Sequence, residues 1–480
     1  MTWETVIGLE VHAQLSTQSK LFSTAPTKYG ALPNTQTNYV DAGLPGVLPV
    51  LNQRAVEMAI QFGFAIHATI NNDSYFERKN YFYPDLPKGY QISQFQRPIV
   101  GNGYLDILLS DGTEKRIEID RAHLEEDAGK SLHEAHSHHT GIDLNRAGTP
   151  LLEIVTTPCM HSAEEVVCYL KTLHRLVRFL GICDGNMQEG SFRCDVNLSL
   201  RKAGQKELGT RTELKNINSF RFIEKAIFFE QLRHQDLLES GQPIIQETRL
   251  YNPDKNRTES MRTKENENDY RYFPDPDLLP IHIDGKELAR IKDAMPPLPA
   301  DISNRLQQDD LLPQESIEFL LTAPSVLNFF NEIKQKSTAP AKVIINWLKG
   351  TYAAALNEKG LSFETPLISV DQFALLLTRL TDGTISNNIA KTLFNQLLVS
   401  SKTVDELIQQ EGLLENKNDA ALHEIIQSII QQFPQQAAEY RAGKEKLLGF
   451  FVGHVMKKTK GKADPTEVNT LLVRLLSVSN

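Results

Sequence analysis

The sequence predicts an α+β protein in which a large mixed domain of strands and helices is followed by an all-helical domain and a small helical tail. Three observations predict this order. Strand-like alternation and helical periodicity are interleaved over about the first 290 residues, but regular helices do not separate successive strands. A proline cluster at residues 295–299 is typical of a linker, and the periodicity beyond it is almost wholly helical. From residue 403 onward the helical pattern continues with a different, basic surface.

Length and composition fit a globular protein of several domains. The chain has 480 residues, of which 40% are hydrophobic and 23% are charged. No apolar run approaches the ~18 residues that span a bilayer, and the first residues lack the features of a secretion signal. We therefore expect a cytoplasmic protein. The four cysteines form no C-x-x-C pair, which favours buried, reduced thiols over a zinc site.

The first domain is predicted to cover residues 1–294. Its elements are read from apolar periodicity, with glycine and proline lying between the segments rather than inside them. The predicted strands are Thr5–Leu15, Tyr104–Leu109, Lys115–Asp120, Leu151–Thr156 and Ser191–Arg201. The predicted helices are Asn52–Phe64, Ala163–Leu180 and Ser219–Ser240.

The helical domain is predicted at residues 295–402 and the tail at residues 403–480. Helical spacing of apolar residues predicts the helices of the middle domain, and Ser386 is typical of an N-cap after a turn. The predicted helices are Asp301–Gln308, Leu312–Leu321, Ser325–Ile333, Ala339–Leu356, Val370–Thr381 and Ser386–Val399.

The end of the tail is basic, although the whole chain has a net charge of −9. From Tyr440 onward, eight basic residues stand against three acidic ones, a net of +5 in 41 residues. A basic patch of this kind suits a nucleic-acid backbone. The predicted contacts are Lys457, Lys458, Lys460 and Lys462. The alternative is a helical tail with ordinary solvated lysines.

The first predicted strand has two chemically different faces. Apolar residues at odd positions from Ile7 to Leu15 form one face, and Glu10, His12 and Gln14 share the other. A carboxylate and an imidazole side by side on a rigid strand suit a divalent cation or a metal-bound phosphate. The alternative is a solvated outer face.

Two further stretches carry carboxylates that need partners. Three consecutive acids at residues 125–127 repel one another unless cations or donors hold them. Lys130 and Ser131 follow and suit a phosphate, although the G-x-x-x-x-G-K-[ST] pattern is absent; the alternative is an exposed acidic turn. Glu153 interrupts an apolar strand, where an unpaired charge is expensive to bury. A metal or a basic group near Glu153 is expected, unless this position faces outward.

The predicted strand Ser191–Arg201 repeats the alternation of the first strand. Its polar face carries Arg193, Asp195 and Asn197, a mixture of donors and acceptors suited to nucleotide or phosphate contacts. A polar strand face that simply meets water is the alternative.

The segment at residues 79–91 is unusually aromatic and basic, and its prolines stiffen it. Its tyrosines and lysines can line a polar passage or hold an acidic substrate. The same composition is common in protein interfaces, so both interpretations stay open.

Long strings in a fixed order give the chain a family resemblance. They include ETVIGLEVHAQL at 4–15, RKNYFYPDLPKGYQISQ at 78–94, HLEEDAGKS at 123–131, DLNRAGTPLLEIV at 143–155, EGSFRCDVNLSLR at 189–201, ELKNINSF at 213–220 and NDYRYFPDPDLLP at 268–280. These strings resemble the GatB family, the B subunits of bacterial Asp/Glu-tRNA amidotransferases. The resemblance covers essentially the whole chain.

The resemblance implies a cradle-shaped catalytic domain, a helical domain and a tail similar to the YqeY fold. It also implies that ATP and Mg²⁺ activate the side-chain carboxylate of mischarged tRNA. Metal ligands are then expected at His12, Glu125 and Glu153, with Glu10 close by. An ammonia passage is expected at Lys79, Tyr81 and Lys88.

The resemblance further implies a ligase that takes its amide nitrogen from glutamine, within a heterotrimer. We find no glycine- and serine-rich amidase motif in this chain, so ammonia is expected from an A subunit, with a small C subunit joining A and B. The basic tail is then the expected contact for the tRNA backbone. Two alternatives stay open: a free-standing ATP-dependent carboxylate–amine ligase, and a non-catalytic tRNA-binding adaptor. The sequence does not decide between Asp-tRNA(Asn) and Glu-tRNA(Gln).

Overall fold

The computed structural model describes residues 2–132, 139–263, 267–411, 419–459, 463 and 465–477. The chain divides into two compact units, Met1–Ile302 and Ser303–Asn480. In the described part of the chain, no helix is both long and apolar enough to cross a membrane.

The first unit contains every strand of the described residues. The strands are β1 Trp3–Gln14, β2 Asp73–Ser74, β3 Glu77–Asn80, β4 Tyr90–Ser93, β5 Gly103–Leu108, β6 Glu114–Glu126, β7 Lys130–Leu132, β8 Gly141–Asp143, β9 Pro150–Thr156, β10 Phe192–Lys202, β11 Thr212–Lys215, β12 Glu247–Asn252, β13 Arg257–Thr263, β14 Phe273–Pro274 and β15 Ile281–His282. Its helices are α1 Gln53–Ala65, α2 Ala163–Phe179, α3 Phe220–Glu239 and α4 Gly285–Asp293, together with a 3₁₀ turn at Glu267–Tyr270.

An eight-stranded sheet dominates this unit, in the order β13-β12-β11-β10-β1-β9-β6-β5. All neighbours are antiparallel except β11 and β12, which are parallel. Three smaller sheets accompany it: β14-β3-β4, β15-β2 and β7-β8. The prediction of an α+β domain is confirmed, because helices do not alternate regularly with these strands.

One face of the large sheet forms the core, and this follows from the alternation in β1. The odd residues from Ile7 to Leu15 are at most 2% exposed and pack with the apolar residues of α1, α2 and α3. The opposite face carries the polar residues of β1 and of its neighbours β9 and β10, since directly paired residues project to the same side. The sheet therefore has one face in the apolar core and one polar face.

The second unit is entirely helical in its described part. The helix α5 Pro299–Asp309 begins in the first unit and ends in the second. The helices after it are α6 Gln314–Leu320, α7 Pro324–Lys336, α8 Ala341–Trp347, α9 Ala353–Lys359, α10 Val370–Thr381, α11 Asn387–Leu397, α12 Val404–Glu411, α13 Asp419–Gln432, α14 Pro434–Arg441, α15 Leu447–Lys458 and α16 Pro465–Ser477. A π-helical turn at Leu348–Tyr352 joins α8 to α9. The helices α13 to α16 enclose a small core of their own.

The predicted fold class of this region, helices throughout, is confirmed. The boundary at residue 402 stays a prediction. The first helix beyond it, α12, contacts α10 through the ion pair between Arg379 and Asp405, with Nε–Oδ1 and Nη2–Oδ2 distances of 2.9 and 3.0 Å. Val404 also donates its backbone N–H to Gln372.

Candidate functional site

The polar face of the large sheet brings His12, Glu125 and Glu153 together. His12 on β1 lies directly opposite Glu153 on β9, and Glu125 comes from β6 on the far side of β9. The Nε2 atom of His12 lies 3.5 Å from Oε1 of Glu125 and 3.4 Å from Oε2 of Glu153. One ligand atom from each residue lies within 4.8 Å of the other two. An imidazole nitrogen and two carboxylate oxygens at this spacing fit a divalent cation.

The charges in this cluster depend on one another. Burial alone would lower the pKa of His12, but Glu153 and Glu125 raise it to about 10. Burial alone would raise the pKa of Glu153, but the imidazoles of His123 and His12 hold it well below its ordinary value. The site therefore keeps Glu153 ionised and favours a positive charge beside it. A bound cation would supply that charge in place of the proton on His12.

The three consecutive acids are buried and held by different partners, so this stretch is not an exposed turn. Glu125 accepts a hydrogen bond from Oγ of Ser93 at 3.2 Å. Glu126 pairs with Lys88 and accepts from the backbone N–H of Ile92 at 2.9 Å. Asp127 lies 3.1 Å from Nη1 of Arg193. Because β6 continues through Glu126, consecutive acids project to different sides and avoid direct repulsion.

A second group of carboxylates lies further along the same face. It consists of Glu10, Asp195 and Glu213, again with one oxygen from each within 4.8 Å of the others. Asn197 donates to Glu10 at 2.9 Å. Lys215 pairs with Asp195 and lies 3.5 Å from Glu213. The ammonium of Lys215 thus partly neutralises the acids, which also raise the pKa of Lys215 against the effect of burial.

A cleft of about 410 Å³ borders the second group. Glu10 and Asn197 are among its lining residues, and Thr210 and Arg211 add hydrogen-bond donors to the lining. Gly8 also lines the cleft, and a Cβ added there would lie at an ordinary contact distance, 3.6 Å from Cα of Pro158. The mixture of apolar walls and a few polar groups is typical of a pocket for a small organic ligand.

His12, Glu125 and Glu153 are called the metal-type cluster from here on. A second feature, beside this cluster, is the small sheet β14-β3-β4. Its strand β3 carries Lys79, whose Nζ lies 5.2 Å from the ring centre of Tyr270. Burial would lower the pKa of Lys79, but Glu125, Tyr272, Glu153 and Tyr81 raise it well above its ordinary value. Tyr81 lies 6.2 Å from Tyr270, ring centre to ring centre. Lys79 and Tyr81 therefore line a polar, aromatic region next to Glu125.

Other predicted residues have different positions. Lys88 belongs to the ion pair with Glu126, and Arg193 faces Asp127 rather than the cleft. Lys130 is exposed on the β7–β8 hairpin, where Ser131 donates to Asp85 at 3.2 Å. No contact described for Lys130 or Ser131 joins them to either carboxylate group, so their phosphate-binding role stays a prediction.

The predicted contacts for nucleic acid are only partly described. Lys457 and Lys458 are exposed in the last turn of α15, and Lys458 donates to Oγ of Ser428 at 2.8 Å. Lys460 and Lys462 lie outside the described residues.

Two residues of the site have no signal in the sequence. His123 is 5% exposed and lies directly opposite Glu153 in the β6–β9 pairing. Glu213 reaches the second group because β11 pairs with β10, where Glu213 lies opposite Asn197. Both depend on pairing between strands that are distant in sequence.

Comparisons with known proteins assign both parts of the chain to one family. The family described as the GatB/GatE catalytic domain matches residues 5–289, and the family described as the GatB domain matches residues 328–476. A protein of Legionella pneumophila is 64% identical over 476 residues, covering 99% of this chain and all of the relative. Proteins of Nitrosococcus oceani and Coxiella burnetii are 53% identical over 477 residues, with the same coverage. All three are named as the B subunit of an aspartyl/glutamyl-tRNA(Asn/Gln) amidotransferase.

Proposed function

Because the chain belongs to the GatB family, we propose that it is the activating subunit of a tRNA-dependent amidotransferase. It phosphorylates the side-chain carboxylate of mischarged Glu-tRNA(Gln), Asp-tRNA(Asn) or both, using ATP. Ammonia then converts the activated carboxyl group into the amide. The overall reaction is that of a ligase with glutamine as the nitrogen donor.

One observation carries this proposal: two groups of side chains suited to hold cations lie on one sheet face, and the second of them borders a cleft of nucleotide size. His12, Glu125 and Glu153 have the donor set and spacing to hold Mg²⁺. When bound, Mg²⁺ would neutralise phosphate charge during phosphoryl transfer. The carboxylates stay ionised beside the cation, so their role is coordination rather than acid catalysis.

The chemistry needs this activation step. A carboxylate is a poor electrophile, and its leaving group would be oxide. Transfer of the γ-phosphoryl group gives an acyl phosphate, in which phosphate is a good leaving group when ammonia attacks the carbonyl carbon. The protein must therefore hold the substrate carboxylate in line with the γ-phosphate and exclude water from the product of the first step.

We place the nucleoside of ATP in the cleft beside Glu10 and Asn197. Gly8 provides the test, because it lines the cleft and has no side chain. We expect Gly8→Val to raise the KM for ATP at least tenfold by filling the cleft. In the matched variant Gly8→Ala, the added carbon meets Pro158 at an ordinary contact distance, so KM should change less than threefold. Equal KM values for both variants would place the nucleotide elsewhere.

We propose that ammonia approaches through the region of Lys79, Tyr81 and Lys88 from a glutaminase A subunit. The aromatic surroundings of the half-buried Lys79, next to Glu125, support this route. Lys79→Met should slow glutamine-dependent amidation more than amidation from ammonium chloride, whereas the exposed Lys130→Met should leave the ratio unchanged. An equal loss with both nitrogen sources would exclude a role in the passage.

The central experiment measures amide formation on Glu-tRNA(Gln) and Asp-tRNA(Asn), with ATP, Mg²⁺ and either ammonium chloride or glutamine. The chain is assayed alone and assembled with A and C subunits, and phosphate release is followed in parallel. We expect His12→Ala and Glu125→Gln to abolish ATP cleavage and amidation while tRNA binding persists. Full activity of both variants would make the chain a non-catalytic adaptor. Amidation of free glutamate or aspartate would instead indicate a free-standing ligase.

A further inference from the structure

His123 contacts the metal-type cluster from the side opposite His12. The strand β9 lies between β1 and β6, and in the two pairings Glu153 is directly opposite both His12 and His123. The carboxylate of Glu153 is therefore flanked by two imidazoles on neighbouring strands. Its Oε2 atom lies 3.4 Å from Nε2 of His12 and 3.3 Å from Nε2 of His123.

The second ring nitrogen of His123, Nδ1, indicates which of the two nitrogens carries a proton. Nδ1 is buried and has no hydrogen-bond partner. A buried N–H donor without an acceptor is costly, so Nε2, which faces a carboxylate, is the better placed of the two ring nitrogens to carry a proton. Nε2 also lies 3.9 Å from Oε2 of Glu125, which is too long for a hydrogen bond. Of the two carboxylates, only Glu153 therefore lies within hydrogen-bonding distance of Nε2 of His123.

The position of His123 also separates it from the three candidate ligands. His12, Glu125 and Glu153 have one atom each within a common 4.8 Å, whereas His123 contributes no atom to that group. A hydrogen bond from a neighbouring side chain restricts the rotation of a ligating carboxylate and so fixes where its oxygens lie.

We propose that His123 is a positioning residue, which fixes the carboxylate of Glu153 so that it faces the cation site together with His12 and Glu125. This inference rests on the metal site assigned under the proposed function. It adds a residue that the sequence did not indicate, and it assigns the residue to orientation of a ligand rather than to coordination.

The test measures binding of Mn²⁺, used as a spectroscopic substitute for Mg²⁺, to the full-length chain. Electron paramagnetic resonance of free Mn²⁺ gives the affinity. We expect His123→Leu, which removes the donor, to weaken binding 10- to 100-fold. His123→Gln, which keeps an N–H donor at a similar reach, should stay within about threefold of the wild type. His282→Leu, at a histidine that is 72% exposed, controls for loss of an imidazole.

Pulsed electron paramagnetic resonance of bound Mn²⁺, which counts the imidazole nitrogens coupled to the metal, separates positioning from coordination in the wild-type chain and in His12→Ala. One coupled imidazole, lost in His12→Ala, supports the proposal, and two coupled imidazoles overturn it because His123 would then be a ligand. Unchanged binding in His123→Leu, or equal weakening in His123→Leu and His123→Gln, also overturns it. If His12→Ala binds Mn²⁺ like the wild type, the metal site itself is wrong. Melting temperatures without metal verify that each variant folds.

Discussion

Lys20 is a residue whose charge is wholly enclosed by protein. Its side chain has no exposed area, and Nζ lies 3.0 Å from Oδ2 of Asp41 and 3.2 Å from the carbonyl oxygen of Leu144. Lys20→Met should lower the free energy of unfolding by about 3–5 kcal/mol, since it leaves the Asp41 carboxylate buried without its cation. Urea unfolding measures the change. Lys28→Met, at an exposed position of the same segment, should cost under about 0.5 kcal/mol; equal losses would contradict the prediction.

At the residue scale, the sequence predicts which side chains share a strand face but not which strands meet. The alternation from Ile7 to Leu15 is sufficient to place Glu10 and His12 on the polar side. The identity of their partners depends on register, because a shift of one residue would turn every side chain to the other face. This is why the resemblance, rather than periodicity, brought Glu125 and Glu153 to His12, and why His123 was missed.

At the element scale, α3 is joined to the edge of the large sheet by a buried polar network. Glu230 and His234 on α3 have fully buried side chains, and Nε2 of His234 lies 3.2 Å from Oε1 of Glu230. Thr212 on β11 and Thr258 on β13 donate to Glu230 at 3.0 and 2.7 Å. Burial alone would raise the pKa of Glu230, but His234 and Arg233 lower it to about 2.

Because the pKa of Glu230 is lowered, the free energy of unfolding should depend on pH in the acid range. The stabilisation by ionised Glu230 is fully present above pH 4.5, the ordinary pKa of the group. It is lost as the pH falls through about 2, because the unfolded chain takes up the proton first. The total is about 3 kcal/mol. In Glu230→Gln, unfolding free energy measured by urea should be lower at pH 6 and should fall less between pH 4.5 and 2. A wild-type slope in the variant would show that other groups dominate.

The elements that the sequence predicts well are those with a strong apolar period. The helix predicted at Ala163–Leu180 is found at Ala163–Phe179, and that predicted at Ser219–Ser240 is found at Phe220–Glu239. The edge strand β13 and its neighbour β12 were not predicted. Their sequences ETRLYN and RTESMRT are rich in charge, which protects a sheet edge from further pairing but removes the alternation that marks a strand.

At the scale of the whole molecule, charge is unevenly distributed. The chain has a net charge of −9, yet its last 41 residues carry +5. An acidic protein repels the phosphates of tRNA at long range, so a bound tRNA needs local basic groups. The tail supplies them on helices that form their own small core, and Lys457 and Lys458 are exposed at the end of α15.

If these lysines contact tRNA, the affinity for tRNA should depend on salt concentration in a specific way. Each phosphate that a lysine neutralises releases condensed counterions, so the slope of log Kd against log salt falls by about 0.7–0.9 for each contact removed. Lys457→Ala/Lys458→Ala should therefore reduce the slope by about 1.5 and weaken binding most at low salt. Filter binding of tRNA between about 50 and 200 mM salt measures both. The exposed pair Lys286→Ala/Lys292→Ala removes the same charge from α4. If that control changes the slope equally, the effect is one of net charge, and the tail is not the site of contact.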